Sequence, residues 1–165
     1  MPNGRLGIVA SRPFAGLSPT GWKVVSVDSQ ETAGEDNAAA NAIDGNPATF
    51  WHTAWNTDLA LPHHLTVDMG AIHRIAGFTY LPRQDGTANG TVESYRFETS
   101  ADGVNWTTNI VSGTFANIQN NPSLQEVPFA PVTARFFRFT ALHEINGAGW
   151  TSAAEISVLP AGGGN

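Results

Sequence analysis

Short runs of alternating apolar and polar residues, separated by turn-forming residues, cover most of the chain from residue 22 to residue 159. Such alternation is typical of strands that bury one face. Only the alanine-rich residues 37–42 favour a helical turn. The pattern predicts strands at residues 22–27, 65–69, 72–81, 94–100, 124–129, 134–142 and 154–159, with another starting near Trp106. Several short strands at this spacing predict an all-β sandwich.

One predicted strand and one pair of adjacent histidines carry basic or titratable residues whose side-chain directions follow from strand geometry. Residues 134–139 (ARFFRF) mix apolar and basic positions, which predicts a central strand with arginines at its edges. His63 and His64 are adjacent. Because neighbouring side chains of a strand point to opposite faces, these two histidines are a poor metal-binding pair.

The length of 165 residues fits one domain. Residues 1–20 are rich in glycine, proline and serine without periodicity, and we expect a linker there, with the domain at 21–160 and a tail at 161–165. Both ends are typical of a piece cut from a multidomain protein. Residues 1–20 lack a convincing signal-peptide core, and no apolar stretch approaches the roughly 20 residues that cross a bilayer.

Composition and charge exclude several classes of function. The formal net charge of −6 argues against nucleic acid, which is bound through many Lys and Arg contacts to phosphate. The same charge argues against docking on an anionic membrane, but it is compatible with neutral sugars, amino sugars and cations. The chain has no cysteine, which excludes disulfides and thiol catalysis.

The loop at residues 42–51 (AIDGNPATFW) concentrates oxygen donors. Asp44, Asn46 and Thr49 lie two and three residues apart, with Gly45 and Pro47 favouring a tight turn. Hard cations such as calcium prefer six to eight oxygen ligands, so the loop is a candidate cation site. An Asx turn that closes the loop without any metal explains the same residues. The spacing alone leaves both interpretations open.

Five segments in order carry a resemblance to a known family. They are residues 44–53 (DGNPATFWHT), 81–90 (LPRQDGTANG), 100–106 (SADGVNW), 134–139 (ARFFRF) and 150–156 (WTSAAEI). Together they resemble the discoidin domains, also called coagulation-factor C-type domains, and most of all the sugar-binding branch, carbohydrate-binding module family 32. The resemblance covers roughly residues 21–159 and implies an eight-stranded jelly-roll β-sandwich.

The resemblance also implies one bound structural cation, calcium or sodium. Its ligands come from the loop described above and from a glutamate near the end of the domain. The implied ligand set is the Asn41 carbonyl, Asp44, the Asn46 carbonyl, Thr49, the Ala154 carbonyl and Glu155. A cation that binds only the folded chain stabilises it by mass action.

For the sugar, the family pattern implies a histidine, an arginine, an asparagine and one or two aromatic rings. The matching residues are His52, Trp55, Arg83, Asn89 and Trp150, with Glu35 bordering the ligand. Arginine supplies donors, asparagine supplies donors and acceptors, and an indole ring can stack on the sugar. This set favours galactose-type sugars, while the acidic residues Glu31, Glu35 and Asp36 leave amino sugars such as glucosamine oligomers open if they reach the ligand.

Each of these residues also has a structural explanation. Trp51 is expected in the core, and Trp55 and Trp150 could be loop anchors or buried. His52 could cap a loop, and Arg83 could form a surface pair with Asp85. The acidic residues Glu31, Glu35 and Asp36 could be solvated surface groups.

No catalytic arrangement is evident in the sequence. A glycosidase needs two carboxylates across the scissile bond, and no spacing among Asp68, Asp85, Glu93, Glu126 and Glu144 selects a pair. The Gly-x-Ser-x-Gly elbow of serine hydrolases is absent. We therefore expect a non-catalytic module that targets a secreted carbohydrate-active protein, with its own catalytic domain, to glycans. The alternatives are a structural or protein-interaction discoidin domain without a sugar site, or a membrane-binding one.

Overall fold

The computed structural model describes residues 16–57 and 59–162. Within these residues the chain forms eight strands and one short 3₁₀ helix, which confirms the all-β prediction. The strands are β1 (Lys23–Val27), β2 (Trp51–His52), β3 (His63–Leu81), β4 (Val92–Ser100), β5 (Trp106–Thr114), β6 (Gln125–Glu144), β7 (Ser152–Ala153) and β8 (Glu155–Pro160). The 3₁₀ helix, Ala39–Ile43, lies where the alanine-rich segment predicts a helical turn.

All strand pairings among the described residues are antiparallel. The main sheet has the order β1-β3-β6-β4-β5, and β8 pairs with the second half of β3. The short strands β2 and β7 form a separate two-stranded sheet. Phe139 of β6 pairs with Leu65 on one side and with Phe97 on the other, so the segment 134–139 is central, as predicted.

Two long strands replace four predicted short ones. The predicted strands at 65–69 and 72–81 are one strand, β3, and those at 124–129 and 134–142 are one strand, β6. The prediction that a strand ends at Gly70 is therefore wrong. Gly70 has a φ of +79°, and the β3–β6 register shifts between Asp68 and His73. The glycine marks an irregularity within a strand, not a reversal of the chain.

The core is built from aromatic rings on the inner faces of the strands. Phe78 and Phe97 are stacked with ring centroids 4.4 Å apart, and Tyr80 stacks on Phe139 at 5.4 Å. Such pairs contribute about 0.5–1.5 kcal/mol beyond the area that they bury. Trp51 is fully buried, and its indole N–H donates to the Ser29 carbonyl at 2.9 Å. The prediction that Trp51 belongs to the core is confirmed.

The first described residues lie against the last strand. The Leu17 amide donates to the Val158 carbonyl at 2.9 Å, and the Ser157 hydroxyl donates to the Leu17 carbonyl at 3.1 Å. Leu17, inside the predicted linker, thus contacts β8, whereas residues 1–15 and 163–165 lie outside the described residues. No described helix is long and apolar enough to span a membrane.

Candidate functional site

Loops from four places in the sequence surround one cavity of about 330 Å³. One loop follows β1, one flanks β2, one joins β3 to β4 and one joins β6 to β7. The cavity brings together all six residues predicted to contact a sugar, together with two that the sequence did not single out. The lining residues are Glu35, Asn37, Phe50, His52, Trp55, Arg83, Asn89 and Trp150.

His52 lies on β2 with only 3% of its surface exposed. Burial lowers the pKa of this imidazole, and the positive charge of Arg83 acts in the same direction, against the raising effect of its hydrogen bond to Thr53. The Nδ1 atom lies 2.6 Å from the Thr53 carbonyl oxygen and therefore carries the proton of the neutral ring. Nε2 is then a hydrogen-bond acceptor. His52 both fixes a loop, as one alternative suggested, and lines the cavity.

Two tryptophan rings flank His52. The centroid of the Trp55 ring lies 5.4 Å from that of His52 at 74°, and the Trp150 ring lies 6.2 Å away at 50°. Both tryptophans are partly exposed. A Cβ at Gly34 would lie 3.3 Å from the Trp55 ring, so the backbone approaches that ring closely. The result is a cavity with two indole walls that are open to a ligand.

Arg83 is held in place on three sides. Its Nε and Nη2 atoms donate to the two carboxylate oxygens of Asp85 at 2.8 and 2.5 Å, and its Cζ lies 4.2 Å from the Phe50 ring centroid. Nη1 lies 3.3 Å from the Asn89 carbonyl oxygen. The hydrogen bond from Arg83 lowers the pKa of Asp85 to about 2. Arg83 therefore forms the ion pair with Asp85 that one alternative suggested. The pair does not draw the guanidinium away from the cavity but fixes its orientation at the cavity wall.

Glu144 fixes the relative position of two of the loops. Its buried carboxylate accepts backbone N–H groups from Asn146 at 2.7 Å, Ala148 at 2.9 Å and Gly90 at 3.2 Å. Gly90 follows Asn89 in one loop, and the other loop leads to Trp150. The sequence offered Glu144 only as one of several unpaired carboxylates, but its role here is to hold the two loops together.

Sequence reasoning missed Asn37 and Phe50. Phe50 directly precedes β2 and lies two residues before His52. Because residues two apart in extended backbone share a face, the pattern contained a usable signal. Asn37 is placed by pairing, because its carbonyl accepts the His52 amide at 3.1 Å. Its side-chain amide donates to Glu35 at 3.1 Å. No local pattern in the sequence reveals the contact between Asn37, in the loop after β1, and His52, on β2.

The three acidic residues of the loop after β1 differ in environment. Glu35 and Asp36 are exposed, and Glu35 lies at the rim of the cavity. Glu31 is buried, and one of its oxygens accepts the amides of Ala33 and Gly34, each at 2.8 Å. The prediction of a solvated surface group is therefore wrong for Glu31, which stabilises the turn.

The predicted cation loop has the geometry of two successive Asx turns. The carboxylate of Asp44 accepts the Asn46 amide at 2.8 Å, and the side-chain oxygen of Asn46 accepts the Ala48 amide at 3.0 Å. The Thr49 hydroxyl lies 2.5 Å from the second Asp44 oxygen. These bonds do not use all the lone pairs of the Asp44 carboxylate, so they are compatible with a metal ligand.

Glu155 is the strongest sign that the loop suits a cation. Burial raises the pKa of this carboxyl to about 8, and the neighbouring Asp44 carboxylate adds to the shift, against the amides of Asn46 and Gly45. The Oε1 atom is buried without a hydrogen-bond partner among the described residues. Two adjacent carboxylates, one with a buried oxygen that no donor satisfies, fit a positive ion between them.

The Asn46 carbonyl, another expected ligand, accepts the amide of Thr49 at 3.2 Å and its hydroxyl at 3.0 Å. Asn41 and Ala154 are positioned by bonds that do not involve their carbonyls. The Asn41 side chain donates to the carbonyls of Asp36 and Phe50, and the Ala154 amide donates to the Leu81 carbonyl at 2.8 Å. Within the described residues no group of three or more His, Cys, Asp or Glu converges. Two carboxylates with neutral oxygens match a hard cation such as calcium better than a metal that prefers thiolate or imidazole ligands.

Comparison with known proteins agrees with this architecture. The sequence model of the F5/8 type C domain matches residues 24–156. A sialidase of Micromonospora viridifaciens is 40% identical over 144 residues, and a galactose oxidase of Gibberella zeae is 39% identical over 160 residues. These matches cover 86% and 94% of this chain but 22% of each relative, so the chain spans about a fifth of their length.

A solved structure with the same fold comes from Clostridium perfringens. It is the module CpGH89CBM32-5 in complex with GalNAc-beta-1,3-galactose, with a TM-score of 0.77 and 32% sequence identity. The alignment covers 87% of this chain and 99% of that one. The expected jelly-roll fold of family 32 carbohydrate-binding modules is thereby confirmed. The family match, the shared fold and the order of the motifs show that this chain belongs to the F5/8 type C, or discoidin, domain family.

Proposed function

We propose that this domain is a non-catalytic carbohydrate-binding module that holds a terminal galactose-type sugar, galactose or N-acetylgalactosamine, in the cavity described above. The observation that carries the proposal is the composition of the cavity. Two partly exposed indole rings stand beside fixed donors and acceptors, in a volume of about 330 Å³. That volume is at the low end of the about 300–1,000 Å³ typical of ligand pockets and favours one sugar ring over a long chain.

The lining groups suit a sugar ring with polar edges and an apolar face. Arg83 presents donors only, Asn89 presents both donors and acceptors, and the neutral His52 presents an acceptor at Nε2. The C–H face of the sugar packs against Trp55 or Trp150. A shallow site of this kind is expected to bind with a Kd between about 1 mM and 1 µM.

The similarities support the choice of sugar and the role in a larger protein. The Clostridium perfringens module is in complex with GalNAc-beta-1,3-galactose, and the sialidase and galactose oxidase relatives are several times longer than this chain. We infer that this module belongs to a secreted carbohydrate-active protein and directs its catalytic domain to glycans.

A structural calcium ion is part of the proposal, with sodium as the alternative. Asp44, Thr49 and the carbonyls of Asn41 and Asn46 would hold it on one side, with Glu155 and the Ala154 carbonyl on the other. The ion would supply positive charge to two neighbouring carboxylates. It would also link the 41–49 loop to β8, the last strand, and so stabilise the folded state.

Amino sugars are a second candidate ligand class, because the exposed carboxylate of Glu35 lies at the cavity rim. A cationic glucosamine would approach this group favourably, whereas galactose would not distinguish it from an amide. The variant Glu35→Gln separates the two classes. An amino sugar that binds the wild type more tightly than galactose does, and loses that advantage in Glu35→Gln, would be assigned as the ligand.

A glycan array followed by titration calorimetry tests the proposal. We expect binding to terminal galactose or N-acetylgalactosamine, lost in His52→Ala and Trp150→Ala and retained in His143→Ala, an exposed histidine on β6. Binding that survives in both cavity variants would place the sugar elsewhere. A folded protein that binds no glycan would favour the structural or protein-interaction alternative.

A further inference from the structure

His63 makes two short hydrogen bonds from a fully buried ring. Its Nδ1 atom lies 2.7 Å from a carboxylate oxygen of Asp28, and its Nε2 atom lies 2.7 Å from the Gly149 carbonyl oxygen. Only 1% of the residue is exposed. Carboxylate and carbonyl oxygens are both acceptors, and a neutral imidazole has a single N–H. Both contacts can be hydrogen bonds only if the ring carries a proton on each nitrogen.

We propose that protonated His63 is a positioning residue that holds the Trp150 side of the site, so that ligand binding weakens as His63 loses its proton. The sugar-binding part of this inference rests on the proposed function. The effect on the loop does not. His63 is outside the cavity and acts through the backbone of Gly149, the residue before Trp150.

The position of Gly149 leaves little room for other anchors. A Cβ at this residue would lie 2.3 Å from the Leu59 carbonyl oxygen, so the loop packs closely against the segment before β3. After Trp150, the Thr151 amide donates to the Thr53 hydroxyl at 3.0 Å. Before it, the Glu144 carboxylate accepts the amides of residues 146 and 148. Among the residues that the structure describes, His63 is the donor that faces the Gly149 carbonyl.

Few charged groups surround the ring. Asp28, in the loop after β1, faces Nδ1 and also accepts the backbone amide of His64 at 2.8 Å. The His64 ring points away from the core, with its Nδ1 3.9 Å from Asp28. The partner of His63 on β6 is Ala141, and residues 145–151, which include the Nε2 acceptor, contain no titratable side chain. Asp28 is therefore the group that stabilises the charge.

The direction of the pH effect follows from these contacts. Burial opposes the charged ring, but the hydrogen bonds to Asp28 and Gly149 outweigh it and raise the pKa of His63 above 6.5. The stabilising contribution is complete below 6.5 and is lost as the pH rises through the raised pKa. Above it, the remaining proton stays on Nδ1, because the ionised Asp28 carboxylate is a stronger acceptor than the Gly149 carbonyl. Burial raises the pKa of Asp28, but its hydrogen bonds with His63 and the His64 amide outweigh this and lower it. Nε2 and the Gly149 oxygen then meet as two acceptors.

Nuclear magnetic resonance on the free protein tests the loop effect without any sugar. With ¹⁵N-labelled histidine and tryptophan, a titration from about pH 5.5 to 9.5 follows the His63 ring and the Trp150 indole together. We expect His63 to be protonated on both nitrogens at pH 6, and the Trp150 signal to move with the same midpoint. A neutral His63 ring at pH 6, or a Trp150 signal that ignores its titration, would overturn the inference.

Variants and a sugar titration complete the test. Asp28→Asn should move the shared midpoint to lower pH, while the matched variant His64→Gln should leave it in place. Affinity for galactose should fall about 2- to 10-fold between pH 6.5 and a pH above the midpoint, as expected for one lost hydrogen bond. His63→Gln should remove this dependence. If it does not fold, Asp28→Asn decides the question alone, and an unshifted midpoint would contradict the proposal.

The two hypotheses fail in different ways. A wild-type protein that binds no sugar at any pH would contradict the proposed function. The pH titration of the Trp150 indole signal in the free protein would still test the role of His63. Sugar binding that is equally strong on both sides of a verified His63 titration would overturn the positioning role and leave the proposed function intact.

Discussion

The guanidinium of Arg83 lies over the ring of Phe50, with its Cζ 4.2 Å from the ring centroid. The same group forms two parallel hydrogen bonds with Asp85. A planar ion held by a ring below and a carboxylate at its edge keeps one orientation, which lowers the entropy that a ligand must remove when it binds. Arg83, which the sequence identified, and Phe50, which it missed, therefore pack together as one wall of the cavity.

Replacement of Arg83 by alanine should weaken sugar binding by about 10- to 100-fold, the effect of losing hydrogen bonds from a charged donor. The melting temperature should change little, because Asp85 is 38% exposed and can be hydrated. Calorimetry of the variant against Arg74→Ala, an exposed arginine on β3, provides the measurement and the control. Unfolding of the Arg83 variant would show that the residue belongs to the scaffold.

Removal of divalent cations by a chelator should lower the melting temperature, and added calcium should restore it. At a calcium concentration about 100 times its Kd the stabilisation is roughly 2.7 kcal/mol, or on the order of 5–10 °C for a domain of this size. Glu155→Gln should abolish the response, whereas Glu126→Gln, on an exposed position of β6, should retain it. A wild-type melting temperature that is indifferent to chelator and calcium would remove the structural calcium from the proposal.

Gly90→Ala should be more damaging than Gly86→Ala, although both glycines have a positive φ. The φ values are +81° and +86°, so the backbone strain, about 1–3 kcal/mol, is similar. A Cβ at Gly90 would lie 2.7 Å from the Ser152 amide nitrogen, whereas a Cβ at Gly86 would have no neighbour within 4 Å. Urea denaturation of the two variants measures the difference. Equal free energies of unfolding for the two variants would mean that the close contact of Gly90 with Ser152 adds nothing to the cost of the substitution.

His52 should limit stability on the acid side. Because burial lowers its folded pKa below the value of 6.5 expected in the unfolded chain, unfolding takes up a proton as the pH falls below 6.5. The free energy of unfolding should therefore decrease from pH 7 to pH 5 by more in the wild type than in His52→Gln. His143→Gln, which replaces an exposed histidine, is the control. Identical pH profiles for the wild type and His52→Gln would show that His52 takes no part.

The all-β fold could be predicted from the sequence, but the lengths of its strands could not. Period-two alternation identified nearly every segment that forms a strand, because one-sided burial leaves that trace. The joining of residues 65–69 and 72–81 into β3 could not be foreseen. A glycine with a positive φ can end a strand or form a bulge within it, and only the partner strands β1, β6 and β8 decide between the two.

The residues of the candidate site could not be grouped from strand periodicity. His52, Arg83 and Trp150 are far apart in sequence, and no periodicity connects them, so the family resemblance was needed to group them. The hydrogen bond of His63 to Gly149 joins residues 86 positions apart. Sequence analysis did predict that His63 and His64 face opposite sides of the strand, and the burial of the first and the partial exposure of the second confirm this.

The hydrogen bond between Leu17 and Val158 has a practical consequence for protein engineering. It brings the first and the last segments that the structure describes within 2.9 Å of each other, measured from N to O. Segments that leave a domain side by side can be spliced into a surface turn of an unrelated carrier without stretching either partner. The domain is thus suited to use as a cassette inserted within a host chain, and not only as a fusion at a terminus.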